Sequence, residues 1–132
     1  MNQAVYVADT HALVFYLDDD ARLGARARQA FMDAEAGTAR IVVPMIVLAE
    51  LAWTAERGRI GLNIQDVLQG LSEHPAFELA PLDEERIRAF VQLTSVPEMH
   101  DRLIATEARL RNATLLTRDA ELTASGVVPV LW

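Results

Sequence analysis

The stretch Val5-Tyr6-Val7-Ala8-Asp9-Thr10-His11-Ala12-Leu13 changes character within two residues. Up to Ala8 it is a short apolar run bounded by polar residues, the pattern of a strand buried on both faces of a parallel sheet. From Thr10, which is placed to cap a helix, the apolar positions Leu13, Val14 and Leu17 follow helical spacing as far as Asp18-Asp19-Asp20. The same alternation continues along the chain. Leu23, Ala27 and Phe31 with Ala30 and Ala34 predict a second helix that stops at Gly37, and Ile41-Val42-Val43 is again a short β-branched run. Pro44 suits the first turn of the helix that follows, from Met45 to about Arg57, closed by Gly58. Asn63 offers a cap for a helix bearing the stripe Ile64, Val67, Leu68 and Leu71, which His74-Pro75 ends.

Phe77 to Leu82 reads as a strand made irregular by Pro81, and Asp83 with Glu84 and Glu85 opens a helix whose buried face is Ile87, Phe90 and Val91. A helix from about Met99 to Arg111 ends at Asn112, a residue tolerant of the left-handed conformation. Thr114-Leu115-Leu116 is a fourth strand. A short helical turn around Ala120 to Leu122 then leads through Gly126 to a last strand, Val127 to Leu131, which Pro129 assigns to a sheet edge. This order predicts an α/β fold: a single domain over residues 1–132 with a mostly parallel central sheet of about five strands flanked by helices.

Composition narrows the function. The chain has 132 residues, 12 basic and 19 acidic, a net charge of −7, 52% hydrophobic residues and no cysteine. Disorder, a disulfide scaffold and a zinc ribbon are excluded. No apolar run is long enough for a membrane span, and Met1-Asn2-Gln3 lacks the basic region of a secretory signal, so a cytoplasmic protein without a membrane partner is expected. Every basic residue is arginine. The acidic balance opposes passive electrostatic binding of nucleic acid, unless the carboxylates gather around cations that cancel their charge locally.

In parallel sheets ligands collect beyond the carboxyl ends of the strands, and Asp9 and Asp119 both fall there. Either one alone could equally be a helix cap. Glu50 interrupts Met45-Ile46-Val47-Leu48-Ala49 and Leu51-Ala52-Trp53, a segment apolar nearly all the way round. A carboxylate there needs a cation, a salt bridge or an exit to solvent through a cleft. Asp101 opens a helix, where the dipole favours its charge.

The runs Asp101-Arg102-Leu103-Ile104-Ala105 and Leu116-Thr117-Arg118-Asp119 resemble motifs of the PIN-domain ribonucleases, especially the VapC-type toxins. Asp9-Thr10-His11-Ala12-Leu13 is similar to that family's opening strand and turn, and Glu50-Leu51 with Trp53 and Gly58-Arg59-Ile60 to its second motif. The four stand in family order over almost the whole chain. The resemblance implies a catalytic, metal-holding set of Asp9, Glu50, Asp101 and Asp119, with Thr10 and Thr117 beside them to hold a carboxylate or a water. An oxygen-only donor set suits Mg2+ or Mn2+ rather than zinc. Such ions activate water for in-line attack on phosphorus, giving 5′-phosphate and 3′-hydroxyl products.

Arg102 and Arg118, beside the acidic positions, and Arg57 and Arg59, beyond Glu50, could grip RNA phosphates or form surface ion pairs. Trp53 is expected in the core, His74 in solvent, and His11 and His100 as possible supports of the carboxylates. The resemblance further implies an RNA substrate, a cognate antitoxin whose tail occupies the cleft, and a homodimer, for which the Ile64 to Leu71 stripe and Trp53 are the apolar candidates. The alternative is a PIN-fold binding module without activity. A phosphoacceptor receiver domain fails because it needs a late lysine.

Overall fold

A computed structural model describes residues 3–132. Met1 and Asn2, read above for a missing basic leader, lie outside the described residues. The elements in chain order are β1 (Ala4–Ala8), α1 (Thr10–Leu17), α2 (Ala25–Glu35), β2 (Ala39–Pro44), α3 (Met45–Glu56), α4 (Ile64–Glu73), β3 (Phe77–Ala80), α5 (Glu84–Phe90), α6 (Met99–Leu110), β4 (Thr114–Leu116), α7 (Ala120–Ser125) and β5 (Val130–Leu131).

All four strand pairings are parallel, and the sheet order is β3-β2-β1-β4-β5. The chain therefore winds outward from β1 in one direction, then crosses back to build the other half. That reversal places a crevice at the β1/β4 seam, the position where doubly wound sheets bind ligands. The seam is in register from Tyr6 opposite Thr114 to Ala8 opposite Leu116, and the Asp9 N–H extends it by donating to the Leu116 carbonyl at 3.2 Å.

Central strand residues Val7, Ala8, Ile41, Val42, Val43, Leu115 and Leu116 are fully buried, which is why their runs show no polar alternation. Tyr16 of α1 stacks on Phe31 of α2 at 4.1 Å, with Phe77 of β3 completing an aromatic cluster. No described helix is long and apolar enough to cross a membrane.

Several sequence expectations change. Asp9, not Thr10, is the N-cap of α1, because its Oδ1 accepts from the Ala12 N–H at 2.8 Å while Thr10 is already helical. Leu23 is buried but precedes α2, and the last strand shrinks to Val130–Leu131. His74 is half-buried: its Nδ1 accepts from the Ala76 N–H at 3.1 Å and its ring meets Phe77 edge-on. The α4 stripe is not free for dimerisation, since Val67 and Leu71 are buried and Ile64 and Leu68 pack against the core.

The apolar side of α5 is the reverse case, with Ile87 and Val91 exposed and only Phe90 half-buried. Ions hold this helix. Arg86 donates through Nε and a terminal nitrogen to both oxygens of Glu107 on α6, at 3.0 and 3.1 Å, and Glu107 also accepts from Arg111 at 2.9 Å. Arg111 continues to Glu78 of β3, which pairs with Arg40 of β2.

Candidate active site

Four elements deliver the four predicted carboxylates to one cleft of about 750 Å3. Asp9 follows β1, Glu50 lies midway along α3, Asp101 is in the first turn of α6, and Asp119 precedes α7. Asp9 and Asp119 are both helix caps as well as cleft residues. Asp119 Oδ1 accepts from the Leu122 N–H at 2.8 Å, as Asp9 does from Ala12, so one oxygen of each fixes the carboxylate and the cap geometry orients it.

Burial and mutual repulsion set the electrostatics. Asp9 is only 7% exposed, and desolvation raises its pKa against the pull of the Thr117 hydroxyl and the Ala12 N–H. Desolvation likewise raises Glu50, with His100 opposing and Glu98 and Asp9 adding to it. Asp101 is pushed up to about 6, first by burial and then by Asp119, Glu98, Asp9 and Glu50. The helix start that should favour its charge is outweighed. His100 is raised in turn, chiefly by its hydrogen bond to Glu98 at 2.8 Å, and Glu98 caps α6 by accepting from the Asp101 N–H at 2.7 Å.

Thr117 is 1% exposed and sits under the site, its Oγ1 accepting from the Asp119 N–H at 3.1 Å. Thr10 lines the cleft close enough to Glu50 for its hydroxyl to pull the Glu50 pKa back down, although neither Thr10 Oγ1 nor Glu50 Oε1 makes a well-formed hydrogen bond within the protein. A hard divalent cation with its waters fits this donor set, which is all oxygen, acidic and incompletely satisfied. Among the described residues no three of these groups stand close enough to form a ready-made cage.

The arginines divide. Arg59 and Arg118 line the cleft as expected. Arg102 does not, because its Nε donates to the Val96 carbonyl and its guanidinium lies 4.8 Å from the Phe90 ring centroid. Arg57 also stays out, stacking 3.4 Å from the Trp53 centroid and donating to the Trp53 carbonyl. Arg22, which nothing in the sequence singled out, is on the cleft wall. It and Arg118 approach the ring of Phe15 at 4.5 and 5.0 Å, and Arg22 also pairs with Asp20. Trp132 supports Arg118 and packs so closely on Gly24 that a Cβ there would overlap its carbonyl carbon.

Trp53 is the clearest reversal. It is 61% exposed, because α3 meets the core through Val47, Leu48 and Leu51, and two residues past Leu51 is about 200° around the helix axis.

No curated protein matches the chain. Solved structures do share the fold. VapBC2 from Rickettsia felis, bound to a promoter DNA fragment, is 18% identical with a TM-score of 0.72, covering 96% of this chain and 97% of that one. A toxin–antitoxin complex from Klebsiella pneumoniae is 22% identical at a TM-score of 0.68, covering 98% and 97%. The PIN-domain endonuclease Utp24 is 16% identical at 0.53, covering 96% and 83%. The family model for the PIN domain matches residues 6–126, and a match of that extent makes this chain a member of the PIN-domain family.

Proposed function

We infer that this protein is a divalent-metal-dependent endoribonuclease and the toxin of a toxin–antitoxin pair. The observation that carries the reading is the convergence of Asp9, Glu50, Asp101 and Asp119, from four separate elements, on one cleft at the β1/β4 seam. Membership of the PIN family and the fold shared with a toxin–antitoxin complex and an endonuclease support it.

The four carboxylates would hold Mg2+ or Mn2+, with Asp9 and Asp101 the direct ligands. Bound there, the ion lowers the pKa of water and stabilises charge on the leaving 3′ oxygen. The protein's own groups do the rest. The α1 and α7 caps fix the Asp9 and Asp119 carboxylates, and Thr117 ties the Asp119 loop to the sheet. Thr10 offers a hydroxyl beside Glu50 for an ordered water. Arg59, Arg118 and Arg22 supply the positive charge that lets a polyanion enter an otherwise acidic cleft. Hydrolysis then yields 5′-phosphate and 3′-hydroxyl ends. The antitoxin covers the same cleft, and the active toxin is a homodimer in the cytoplasm.

The test is cleavage of total cellular RNA by purified, antitoxin-free protein in Mg2+ or Mn2+, beside Asp9→Ala and an EDTA control. Products bearing 5′-phosphates that vanish in both controls are expected. Folded, metal-supplied protein that leaves every RNA intact would overturn the nuclease and favour a binding module.

A further inference from the structure

We propose that Trp53 and the recess beside it bind one unpaired nucleobase of the RNA strand whose phosphodiester occupies the acidic cleft. This rests on the nuclease reading. A large aromatic side chain is normally buried, and the indole of Trp53 is 61% exposed on a helix whose neighbouring Leu48 and Leu51 are core residues. Beside it lies a recess of about 490 Å3 lined by Ile46, Ala49, Glu50, Trp53, Thr54 and His100. Glu50 and Thr54 also line the main cleft, so the two hollows share a wall. A strand with a phosphate among the carboxylates reaches the recess with an adjoining base.

The lining suits a flat aromatic ring with a polar edge. Ile46 and Ala49 are apolar, the indole supplies a stacking face, Thr54 Oγ1 can still accept while its proton goes to the Glu50 carbonyl, and His100 has Nε2 left while Nδ1 meets Glu98. Charge selects among possible occupants. The Arg57 guanidinium stacks 3.4 Å from the indole centroid, and among the described residues it pairs with no carboxylate. An apolar protein surface closing over Trp53 would bury that charge unmatched. A nucleotide brings its own phosphate to meet it. Stacking tolerates any base, so the edges offered by His100 and Thr54 decide preference.

The experiment walks a single abasic nucleotide through the positions flanking a cleavage site mapped in the RNA pool, using wild type, Trp53→Ala and Trp53→Phe. At one position the abasic substitution should lower wild-type kcat/KM about tenfold, and Trp53→Ala should show the same loss on intact RNA with no further abasic penalty. Trp53→Phe should keep most of the rate. Equal abasic sensitivity in wild type and Trp53→Ala at every position overturns the proposal, as does a Trp53→Ala defect traced by sedimentation to loss of a dimer.

A second readout is independent of catalysis. With Ca2+ in place of Mg2+ to neutralise the cleft, a Trp132→Phe protein leaves Trp53 as the sole indole, and a mixed-sequence oligoribonucleotide should quench it. Quenching without cleavage in metal refutes the nuclease and keeps the base site. Cleavage without quenching does the opposite.

Discussion

Asp101 stands where its own helix favours its charge and its surroundings oppose it. With the folded pKa raised from 3.8 to about 6, the folded chain binds more protons than the unfolded chain across that window. Stability therefore falls as pH rises through it, and the penalty is complete above pH 6. In metal-free protein at pH 7, Asp101→Asn should raise the unfolding free energy by about 1 kcal/mol once solvent screening is allowed for, and the thermal midpoint with it. The gain should fade toward pH 4 in calorimetric scans, while cleavage is lost at every pH. Repulsion from Asp119 and Asp9 was readable once their shared place at strand ends was noticed. The side-chain directions of Arg57, Arg102 and Trp53 were not, since residues adjacent in a helix point about 100° apart. Arg102 follows Asp101 in sequence and leaves it in space. Arg22 escaped because it precedes α2 on a turn, where no periodicity marks it.

Helix α5 shows where pattern reading fails for an element. Its Ile87 and Val91 imitate a core face, but the helix is fastened by Arg86 to a Glu107 that is 2% exposed. Nothing in a one-dimensional pattern announces a carboxylate on α6 paired with an arginine on α5. Glu107→Ala should cost about 2 kcal/mol in urea unfolding, because Arg86 and Arg111 lose their shared buried partner and keep only the more exposed Asp83 and Glu85 for the one and Glu78 for the other. The same change should leave the four cleft carboxylates in place. By contrast α4 was legible from Asn63 to its end, since its cap and its stripe both act locally: Asn63 accepts from the Asp66 N–H and the stripe packs on the core. Strands β1, β2 and β4 were legible for a related reason, as burial between neighbours leaves uninterrupted apolar runs, whereas the edge strands β3 and β5 are shorter than their runs suggest.

On the scale of the whole molecule, four carboxylates in one cleft make the fold carry an electrostatic cost that a bound cation would remove. Mg2+ or Mn2+ at a hundred times its dissociation constant should stabilise the protein by about 2.7 kcal/mol in a thermal melt, and Asp9→Asn should blunt that shift. Alternation of strands and helices predicted a parallel sheet, whereas the order β3-β2-β1-β4-β5 had no local trace, because it joins strands remote in sequence. That order matters during synthesis. Strand β1 pairs on one side with β2 and on the other with β4, and Tyr6 cannot meet Thr114 until every element between them has been made. The half-sheet of β1, β2 and β3 is available early, but Asp119 joins Asp9 last. A nascent chain thus lacks Asp101 and Asp119 while β1 to β3 are being made, and the four-carboxylate cleft stays incomplete until α6 and β4 have followed.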